Sequence, residues 1–460
     1  MTRALVFGVG IAGKACAVAL ARRGIEPVLV DDKESPTLGE FADSLGVGFH
    51  ISPDTSALAN LVKSVEFVLP APGVPETHPL FAISRDAERE TLSEIELAYR
   101  WESERSGGPR PIVAVTGTDG KTTTTLLATA MVRAAGKRVV AVGNTETPFI
   151  DALESDAEVF VVECSSFRLA LTKEFRAEAS VWLNFAPDHL DWHIDLNSYA
   201  AAKSRIWSAL RSTDVAVAPA GNTLIQDIAR ESRGRTVLFG EGEGSDYRAK
   251  DGALIGPRGF VAAVASMRRS LPHDISNALA AIAICLEAGV ATEVAVAQAL
   301  ADFLPSHHRI ELVCEKDSVR WFNDSKATSP HAARTALRAF NNIVLIAGGR
   351  NKGLDLSELG AESRSVRAVV GIGESGQEII DAFGTECPHA LASSMQEAIE
   401  IARSFASAGD VVLLSPACTS FDWYRNYEER GNDFTERVRR TLGAVAQENE
   451  MHSDTEGGNT

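Results

Sequence analysis

The feature that most constrains the fold is a strand, a glycine-containing loop and a helix that follow one another near residue 115. The apolar run 112–115 precedes Gly117-Thr-Asp-Gly120, and Lys121-Thr-Thr123 then opens a helical stretch. Backbone N–H groups of such a loop and of the helix start bind phosphate oxygens. Lys121 would neutralise terminal phosphates, and the Thr122 hydroxyl would bind Mg²⁺. The order of these elements predicts a nucleotide site in an α/β unit.

This loop is shorter than the usual P-loop, which has a further glycine at the position that Val115 occupies here. A turn rich in glycine and threonine that binds no ligand is the alternative interpretation. The required succession of strand, loop and helix favours the phosphate site.

Apolar runs alternate with helical stretches along nearly the whole chain, which is typical of parallel sheets covered by helices. Buried strands are predicted at 4–7, 28–30, 65–69, 112–115, 139–142, 159–162, 179–183, 215–218, 319–322, 343–347, 368–372 and 411–414. Two segments are predicted to be linkers. Gly and Pro cluster at 105–111, and polar residues cluster at 303–308. A helix at 275–288 is expected to close the central unit at Gly289.

A length of 460 residues is enough for about three domains. We predict domains at 1–108, 109–304 and 305–446. The acidic segment 447–460 has almost no apolar content and is predicted to be a disordered tail.

Charge and cysteine content exclude several functional classes. The 45 Lys and Arg against 62 Asp and Glu give a net charge of -17, which argues against nonspecific binding to nucleic acid or anionic membranes. No apolar run approaches the ~18 residues that a membrane span needs. The six cysteines include no Cys-x-x-Cys pair, which disfavours a zinc ribbon or a redox motif and favours a reducing cytoplasm.

Acids and histidines follow two more predicted strands. Glu163 ends the apolar run at 159–162, at the sheet edge where ligands of open α/β folds bind. His189 lies between Asp188 and Asp191, and imidazole plus carboxylates could hold a divalent metal. A capping acid and a packed histidine are the alternatives, and the role of His193 stays open.

The other polar loops have weaker signatures. Gly8-x-Gly10-x-x-Gly13, with Asp31 eighteen residues beyond, has dinucleotide-binding spacing and fits NAD or another nucleotide diphosphate equally well. Three polar loops at 324–328, 348–352 and 415–421 each follow a predicted strand. They indicate a small-molecule site, although simple turns would also fit.

Taken together, these motifs resemble the Mur ligases, ATP-dependent amide-forming enzymes of peptidoglycan precursor synthesis. The resemblance covers about residues 3 to 445 and rests on Gly117–Thr123, Pro187-Asp-His-Leu-Asp191, His308-Arg309 and Asp324-Ser-Lys-Ala-Thr328. The segments 323–333 and 414–422, with Arg430-Gly-Asn-Asp-Phe434, resemble the subfamily that adds D-glutamate. Subfamilies that add diaminopimelate or lysine, and folylpolyglutamate synthetases, lack the Ser-Pro-Ala-Cys loop at 415–418.

The resemblance implies an α/β fold of three domains: an N-terminal Rossmann-like domain, a central P-loop ATPase-type parallel sheet and a C-terminal Rossmann-like domain. The implied substrates are UDP-N-acetylmuramoyl-L-alanine, D-glutamate and ATP, with two Mg²⁺ ions, in a cytoplasmic monomer.

By similarity, the roles fall on the following residues. ATP would be contacted by Gly117, Thr118, Asp119, Gly120, Lys121, Thr122, Thr123, Asn277, Arg309 and Asp324. The UDP-substrate would be contacted by Ile11, Ala12, Asp31, Asp32, Gly73 and Asn144. Mg²⁺ would be bound by Thr122, Glu163, His189 and a carbamylated Lys203, and D-glutamate by Thr328, Lys352, Ser420, Phe421 and Tyr427. Lys121, His189 and Lys203 would be catalytic.

One departure from the family pattern concerns the start of the last central helix. Asp274 stands where the family usually has asparagine, which puts an adenine contact at that position in doubt, although Asn277 is retained. Other readings are a different amide ligase of the same family, an NAD-dependent oxidoreductase and a P-loop nucleotide switch without catalysis.

Overall fold

The computed structural model describes residues 2–33, 35–189, 192–241, 244–384 and 387–443. The predicted tail at 447–460 lies outside these residues. The chain divides into two compact units, one spanning Met1–Leu304 and one beginning at Pro305. In the part that is described, no helix is both long and apolar enough to cross a membrane.

The helices and strands alternate along both units. The strands are β1 (Arg3–Phe7), β2 (Glu26–Asp31), β3 (Phe49–Ile51), β4 (Phe67–Pro70), β5 (Glu90–Thr91), β6 (Ile112–Thr116), β7 (Val139–Gly143), β8 (Val159–Glu163), β9 (Ala179–Trp182), β10 (Val215–Pro219), β11 (Arg235–Phe239), β12 (Arg248–Lys250), β13 (Ala253–Gly256), β14 (Gly259–Ala263), β15 (Glu311–Lys316), β16 (Val319–Asn323), β17 (Ile343–Gly348), β18 (Val366–Ile372), β19 (His389–Ala392) and β20 (Val411–Ala417).

The α-helices are α1 (Ile11–Arg22), α2 (Pro36–Leu45), α3 (Thr55–Lys63), α4 (Pro79–Asp86), α5 (Glu94–Ser103), α6 (Lys121–Ala134), α7 (Phe149–Ala152), α8 (Ser166–Leu169), α9 (Leu196–Ser204), α10 (Thr223–Glu231), α11 (Pro272–Glu287), α12 (Glu293–Asp302), α13 (Pro330–Leu337), α14 (Gly376–Phe383), α15 (Met395–Phe405) and α16 (Tyr427–Leu442). Short 3₁₀ helices lie at Arg205–Trp207, Val264–Ser266 and Leu356–Ser365.

The first unit contains two parallel sheets. The N-terminal sheet has the strand order β3-β2-β1-β4-β5, and the second has the order β11-β10-β9-β6-β8-β7. All pairings in both sheets are parallel. Their central strands are apolar on both faces because helices cover both sides. In the second sheet β6 lies between β9 and β8, so that loops after β6, β8 and β9 meet at one edge.

Every predicted strand overlaps a strand of the structure, but the expectation that the helix at 275–288 closes the central unit is wrong. A further helix, α12, follows that glycine and is capped by the Thr292 side chain, which accepts from the Ala295 backbone N–H. Val296, Ala299 and Leu300 bury this helix in the same core as α6 and α11. Its small side chains give a weak periodic pattern, which explains why it was not predicted.

Helix α5 joins the two parallel sheets of the first unit through three buried glutamates. Glu96 accepts hydrogen bonds from the backbone N–H groups of residues 173–175. Glu94 and Glu102 form ion pairs with Arg168 and Arg110, at 2.6 and 2.7 Å. Buried carboxylates are stable only when paired and hydrogen-bonded, so each glutamate fixes the helix against the neighbouring segment.

The second unit is built on a six-stranded sheet of order β15-β16-β20-β17-β18-β19. The pairing of β15 with β16 is antiparallel and the other pairings are parallel. Strands β16, β20 and β17 are adjacent, so the loops that follow them share one edge. These are the three polar loops that the sequence singled out.

Candidate functional site

The loop between β6 and α6 depends on a glycine at its end. Gly120 has φ +81°, in the left-handed region that favours glycine. A Cβ atom at this position would lie 2.5 Å from Asn277 Oδ1 and 3.3 Å from Leu183 Cδ1. The predicted nucleotide residue Asn277 therefore packs directly against the loop, on the first turns of α11.

A side chain that the sequence analysis did not select holds this loop in place. Asn184 Oδ1 accepts hydrogen bonds from the backbone N–H groups of Thr118 and Asp119, at 3.0 and 2.9 Å. Its Nδ2 donates to the Asp119 carbonyl at 3.1 Å. Asn184 follows β9. The only sequence signal for its role is that it is a polar residue just after a buried strand.

Two lysines converge on one carbonyl oxygen of the loop. Lys121 Nζ and Lys203 Nζ donate to Gly117 O at 2.9 and 2.6 Å. Lys203 is 1% exposed, and its ammonium lies over the Tyr199 ring. Burial, followed by the neighbouring Lys121 charge, lowers the pKa of Lys203 well below its usual value. Lys203 thus has an environment that favours the neutral amine.

Beside the loop lies a buried carboxylate with one unsatisfied oxygen. Glu163 Oε1 accepts from Thr122 Oγ1 at 3.3 Å and from Asn144 Nδ2 at 3.1 Å. Among the described atoms, Glu163 Oε2 is buried without a hydrogen-bond partner. A buried carboxylate oxygen next to a hydroxyl fits a hard cation such as Mg²⁺. Asn144, expected to contact the UDP-substrate, here bonds to this carboxylate.

His189 and His193 differ in their surroundings. His189 has φ +56°, and its Nε2 lies 3.4 Å from Asp188 Oδ2 while its ring packs on Phe167. His193 is buried, and its Nε2 shares a hydrogen bond of 2.9 Å with Ser166 Oγ. The part of the chain described contains no group of three or more His, Cys, Asp and Glu side chains placed to hold a metal. Asp191 lies outside it.

The N-terminal glycines serve the packing of β1 and α1. A Cβ at Gly13 would lie 2.1 Å from Gly8 O, and one at Gly8, where φ is +87°, would lie 2.7 Å from Ala71 Cβ. Asp31 accepts from the backbone N–H groups of Val9 and Lys33, at 2.7 and 2.9 Å. In this structure Asp31 therefore organises the glycine loop.

The remaining predicted UDP residues surround this loop and the start of α1. Ile11 is 74% exposed at the first turn of α1, whereas Ala12 is buried behind it. Asp32 pairs with His78 at 3.4 Å, and Gly73 has open space around its α-carbon. Ile11 offers an exposed apolar side chain and Asp32 a carboxylate that is 56% exposed, and these groups suit a ligand with both apolar and polar parts.

In the second unit, Asp324 connects three chain segments. Its Oδ1 accepts from the backbone N–H of Ile310 at 3.2 Å, and its Oδ2 accepts from Ser415 Oγ at 2.7 Å. Arg309 precedes Ile310 and is half-buried. The structure therefore brings the segments of Arg309 and Asp324 together, while their contact with ATP stays a prediction.

A buried arginine organises the loops predicted to bind the amino acid, and sequence reasoning assigned it no role. Arg430 donates to Ser325 Oγ, Ser325 O and Cys418 O, at 2.9, 2.8 and 3.1 Å. No carboxylate lies within ion-pair distance of it in the described chain. Burial lowers the pKa of Arg430 to about 10. The loops after β16 and β20 are thus fixed by one cation on α16.

The five predicted D-glutamate residues lie in or near these loops. Ser420 is buried, Phe421 is 61% exposed, and Thr328, Lys352 and Tyr427 are half-buried. Lys352 follows Gly348 and Gly349, whose φ values of +129° and +130° allow a tight turn at the end of β17. The set combines hydroxyl and cationic groups that could bind carboxylates.

The doubtful position Asp274 has a structural role. Its carboxylate accepts two hydrogen bonds of 2.7 Å from Arg269 and one of 3.1 Å from the Leu271 backbone N–H, at the start of α11. An acid in the first turn of a helix also complements the helix dipole. Asp274 therefore stabilises the helix that carries Asn277.

Comparisons with known proteins give matches to family models and to whole proteins. Residues 115–285 match the Mur ligase middle domain, and residues 308–418 match the Mur ligase, glutamate ligase domain. The UDP-N-acetylmuramoylalanine–D-glutamate ligase of Frankia casuarinae is 40% identical over 460 residues, which cover 95% of this chain and 94% of the relative. The enzyme of the same name from Streptomyces avermitilis is 37% identical, over 95% of this chain and 98% of the relative.

Among solved structures, the MurF ligase of Thermotoga maritima in complex with ADP has a TM-score of 0.59 at 17% identity. The match covers 83% of this chain and 90% of that one. At this identity the likeness shows the fold alone.

Proposed function

The chain belongs to the Mur ligase family, and on that premise we propose that it joins D-glutamate to UDP-N-acetylmuramoyl-L-alanine at the expense of ATP. The observation that carries the proposal is the 40% identity to a D-glutamate ligase over 95% of this chain. The products are UDP-N-acetylmuramoyl-L-alanyl-D-glutamate, ADP and phosphate, in peptidoglycan precursor synthesis.

The chemistry proceeds in two steps. A carboxylate oxygen of the L-alanyl group forms a bond to the γ-phosphorus of ATP, and the bond to the ADP oxygen breaks. The amine of D-glutamate then attacks the acyl carbon of this acyl phosphate, phosphate leaves and the nitrogen loses a proton. A free carboxylate is a poor electrophile, so converting it to an acyl phosphate supplies the leaving group.

The loop at 117–120 would hold the phosphates of ATP. The ammonium of Lys121, at the first position of α6, would offset negative charge on the transferred phosphoryl group. Asn184 holds the loop in its shape before ATP binds, which lowers the entropy cost of binding. Asn277, Arg309 and Asp324 are the other residues that we assign to ATP contact.

Thr122, Glu163 and His189 are the residues we assign to Mg²⁺. The unsatisfied oxygen of Glu163 supports this assignment. A bound Mg²⁺ would screen the charge of the phosphates. Asn144 would keep the Glu163 carboxylate oriented through its hydrogen bond.

We assign a carbamate to Lys203, which would be the fourth ligand. A neutral amine is needed to attack CO₂, and burial of Lys203 beside Lys121 favours that form. The nitrogen of the neutral amine would bond to the carbon of CO₂ and lose one proton, so the neutral side chain would become a carbamate anion. Intact-protein mass measured under non-denaturing, neutral conditions should exceed the sequence mass by one CO₂, and K203A should lack the increment.

The remaining assignments follow the domains at 1–108, 109–304 and 305–446. Ile11, Ala12, Asp31, Asp32, Gly73 and Asn144 would face the UDP-substrate. Thr328, Lys352, Ser420, Phe421 and Tyr427 would face D-glutamate. We also propose a cytoplasmic monomer, and all six cysteines are free thiols in the described chain.

Phosphate release tests the proposed reaction. Pure protein with ATP, Mg²⁺ and UDP-N-acetylmuramoyl-L-alanine should release phosphate with D-glutamate and not with L-glutamate, L-lysine or meso-diaminopimelate. Turnover with another amino acid alone would identify a different amide ligase of the family. ATP binding without turnover under any of these conditions would support a nucleotide switch, and NAD binding in place of ATP would support an oxidoreductase.

A further inference from the structure

A buried ion pair outside the proposed site connects α5 with two loops that carry proposed site residues. Glu94 Oε2 accepts from Arg168 Nη1 at 2.6 Å, and Glu94 Oε1 accepts from the backbone N–H of Ile150 at 2.7 Å. Both side chains of the pair are less than a tenth exposed. One carboxylate thus binds two separate segments of the second sheet.

These segments follow adjacent strands. Ile150 lies in α7, after the loop of β7 that carries Asn144, and Arg168 lies in α8, five residues after Glu163 at the end of β8. Asn144 and Glu163 are hydrogen-bonded to each other at 3.1 Å. Glu94 therefore holds the loops after β7 and β8 at a fixed spacing. The side chains of these loops, Asn144 and Glu163, meet at the proposed metal site.

Helix α8 also provides the surface on which the histidine loop packs. The Phe167 ring lies 4.7 Å from the His189 ring and 4.9 Å from the Trp192 ring, measured between centroids. Ser166 Oγ shares a hydrogen bond with His193 Nε2. A shift of α8 would consequently move the His189 loop as well as Glu163.

We propose that the Glu94–Arg168 pair is a positioning device for the metal site, and that it acts through α8 on Glu163 and His189. The inference rests on the proposed function, since it assumes Mg²⁺ at those two residues. Residues that orient metal ligands typically change metal affinity or activity by about 10–100-fold when mutated. Neither residue of the pair is among those we assign to ATP, substrate or metal, so we expect its effect to be on the geometry of the ligands.

The same helix offers a matched control. Glu102 and Arg110 form an equally buried pair at 2.7 Å, and Arg110 further donates to the carbonyls of Leu153 and Ser155. This second pair also joins α5 to the segment after α7, but within the described chain none of its hydrogen bonds reaches α8, the helix through which Glu94 would act. If both pairs only stabilised the fold, breaking either one would have the same effect on metal binding.

The experiment compares E94Q with E102Q in the full chain. Mn²⁺ binding is measured by electron paramagnetic resonance with a nonhydrolysable ATP analogue, and deuterium exchange of 164–172 is followed by mass spectrometry. We expect E94Q to weaken Mn²⁺ binding about tenfold or more and to speed exchange at 164–172. E102Q should change Mn²⁺ affinity less than twofold.

Four results would overturn the inference. E94Q could bind Mn²⁺ as tightly as the wild type, or E102Q could weaken it by the same factor as E94Q. If E94Q does not fold because Arg168 is left buried and unpaired, E94Q/R168Q removes both charges and should show the same weakening. Wild-type affinity in that variant would refute the proposal. A wild-type chain that binds no Mn²⁺ would instead refute the proposed metal site, and the inference with it.

Discussion

Replacing Gly120 with alanine separates the two reasons why the phosphate loop needs a glycine. The residue has φ +81°, and a left-handed conformation costs a non-glycine residue about 1–2 kcal/mol. Its new Cβ would also lie 2.5 Å from Asn277 Oδ1, so either the loop or Asn277 must move. Gly136, just beyond the other end of α6, has φ +79° and open space around it. G136A therefore carries the conformational cost without the clash.

We expect both variants to lose about 1–2 kcal/mol of stability from the backbone alone, measured by urea unfolding. Only G120A should weaken ATP binding, by tenfold or more in calorimetry, which corresponds to about 1.4 kcal/mol. Adding N277A removes the clashing atom, so a double-mutant cycle between G120A and N277A should give a coupling of at least about 0.5 kcal/mol. Equal ATP affinity in G120A and G136A, or a cycle without coupling, would show that the loop tolerates the Cβ and that our reasoning is wrong.

Three further variants test the assigned residues. E163Q replaces a proposed metal-binding oxygen with an amide, so phosphate release should fall by at least the ~10–100-fold typical of residues that only orient a metal ligand. The melting temperature should change little, and unchanged activity would exclude Glu163 as a ligand. K203A should be nearly inactive and should regain activity when short carboxylic acids are added, whereas full activity without them would contradict the carbamate. K352A should raise the D-glutamate KM by about 10–150-fold through loss of a charge-assisted hydrogen bond. The ATP KM should stay constant, and a loss of ATP affinity instead would place Lys352 in the nucleotide site.

The sequence was sufficient where the signal is local. The order of strand, loop and helix around Lys121 is contiguous, and long apolar runs identified the central strands of both large sheets. The strands that were not predicted are edge strands or belong to the small antiparallel sheet β12–β14, whose short segments are interrupted by turns. Such strands bury too few side chains to give a recognisable pattern of apolar residues in the sequence.

Residues that act over long distances in sequence were not predictable in the same way. Asn184 shapes the phosphate loop from 65 residues away, and Glu94 reaches Arg168 from 74 residues away. Arg430 needs the fold before its contacts with Ser325 are visible. For Asp31 the local signal was present but pointed elsewhere. Its spacing from the glycines suggested a ribose contact, whereas in the structure its carboxylate accepts hydrogen bonds from the backbone N–H groups of Val9 and Lys33. Its role toward the UDP-substrate stays a prediction.

The three buried glutamates of α5 also have a consequence for the order in which the nascent chain becomes stable. Glu96 finds its last backbone partner at Phe175, 79 residues downstream. At a synthesis rate of about 5–20 residues per second, the ribosome needs about 4–16 s to make that stretch. During this interval the N-terminal sheet is complete in sequence, but its last helix carries carboxylates whose partners do not yet exist. Translation speed between residues 96 and 175 therefore sets the earliest time at which Glu96 can find all of its backbone partners.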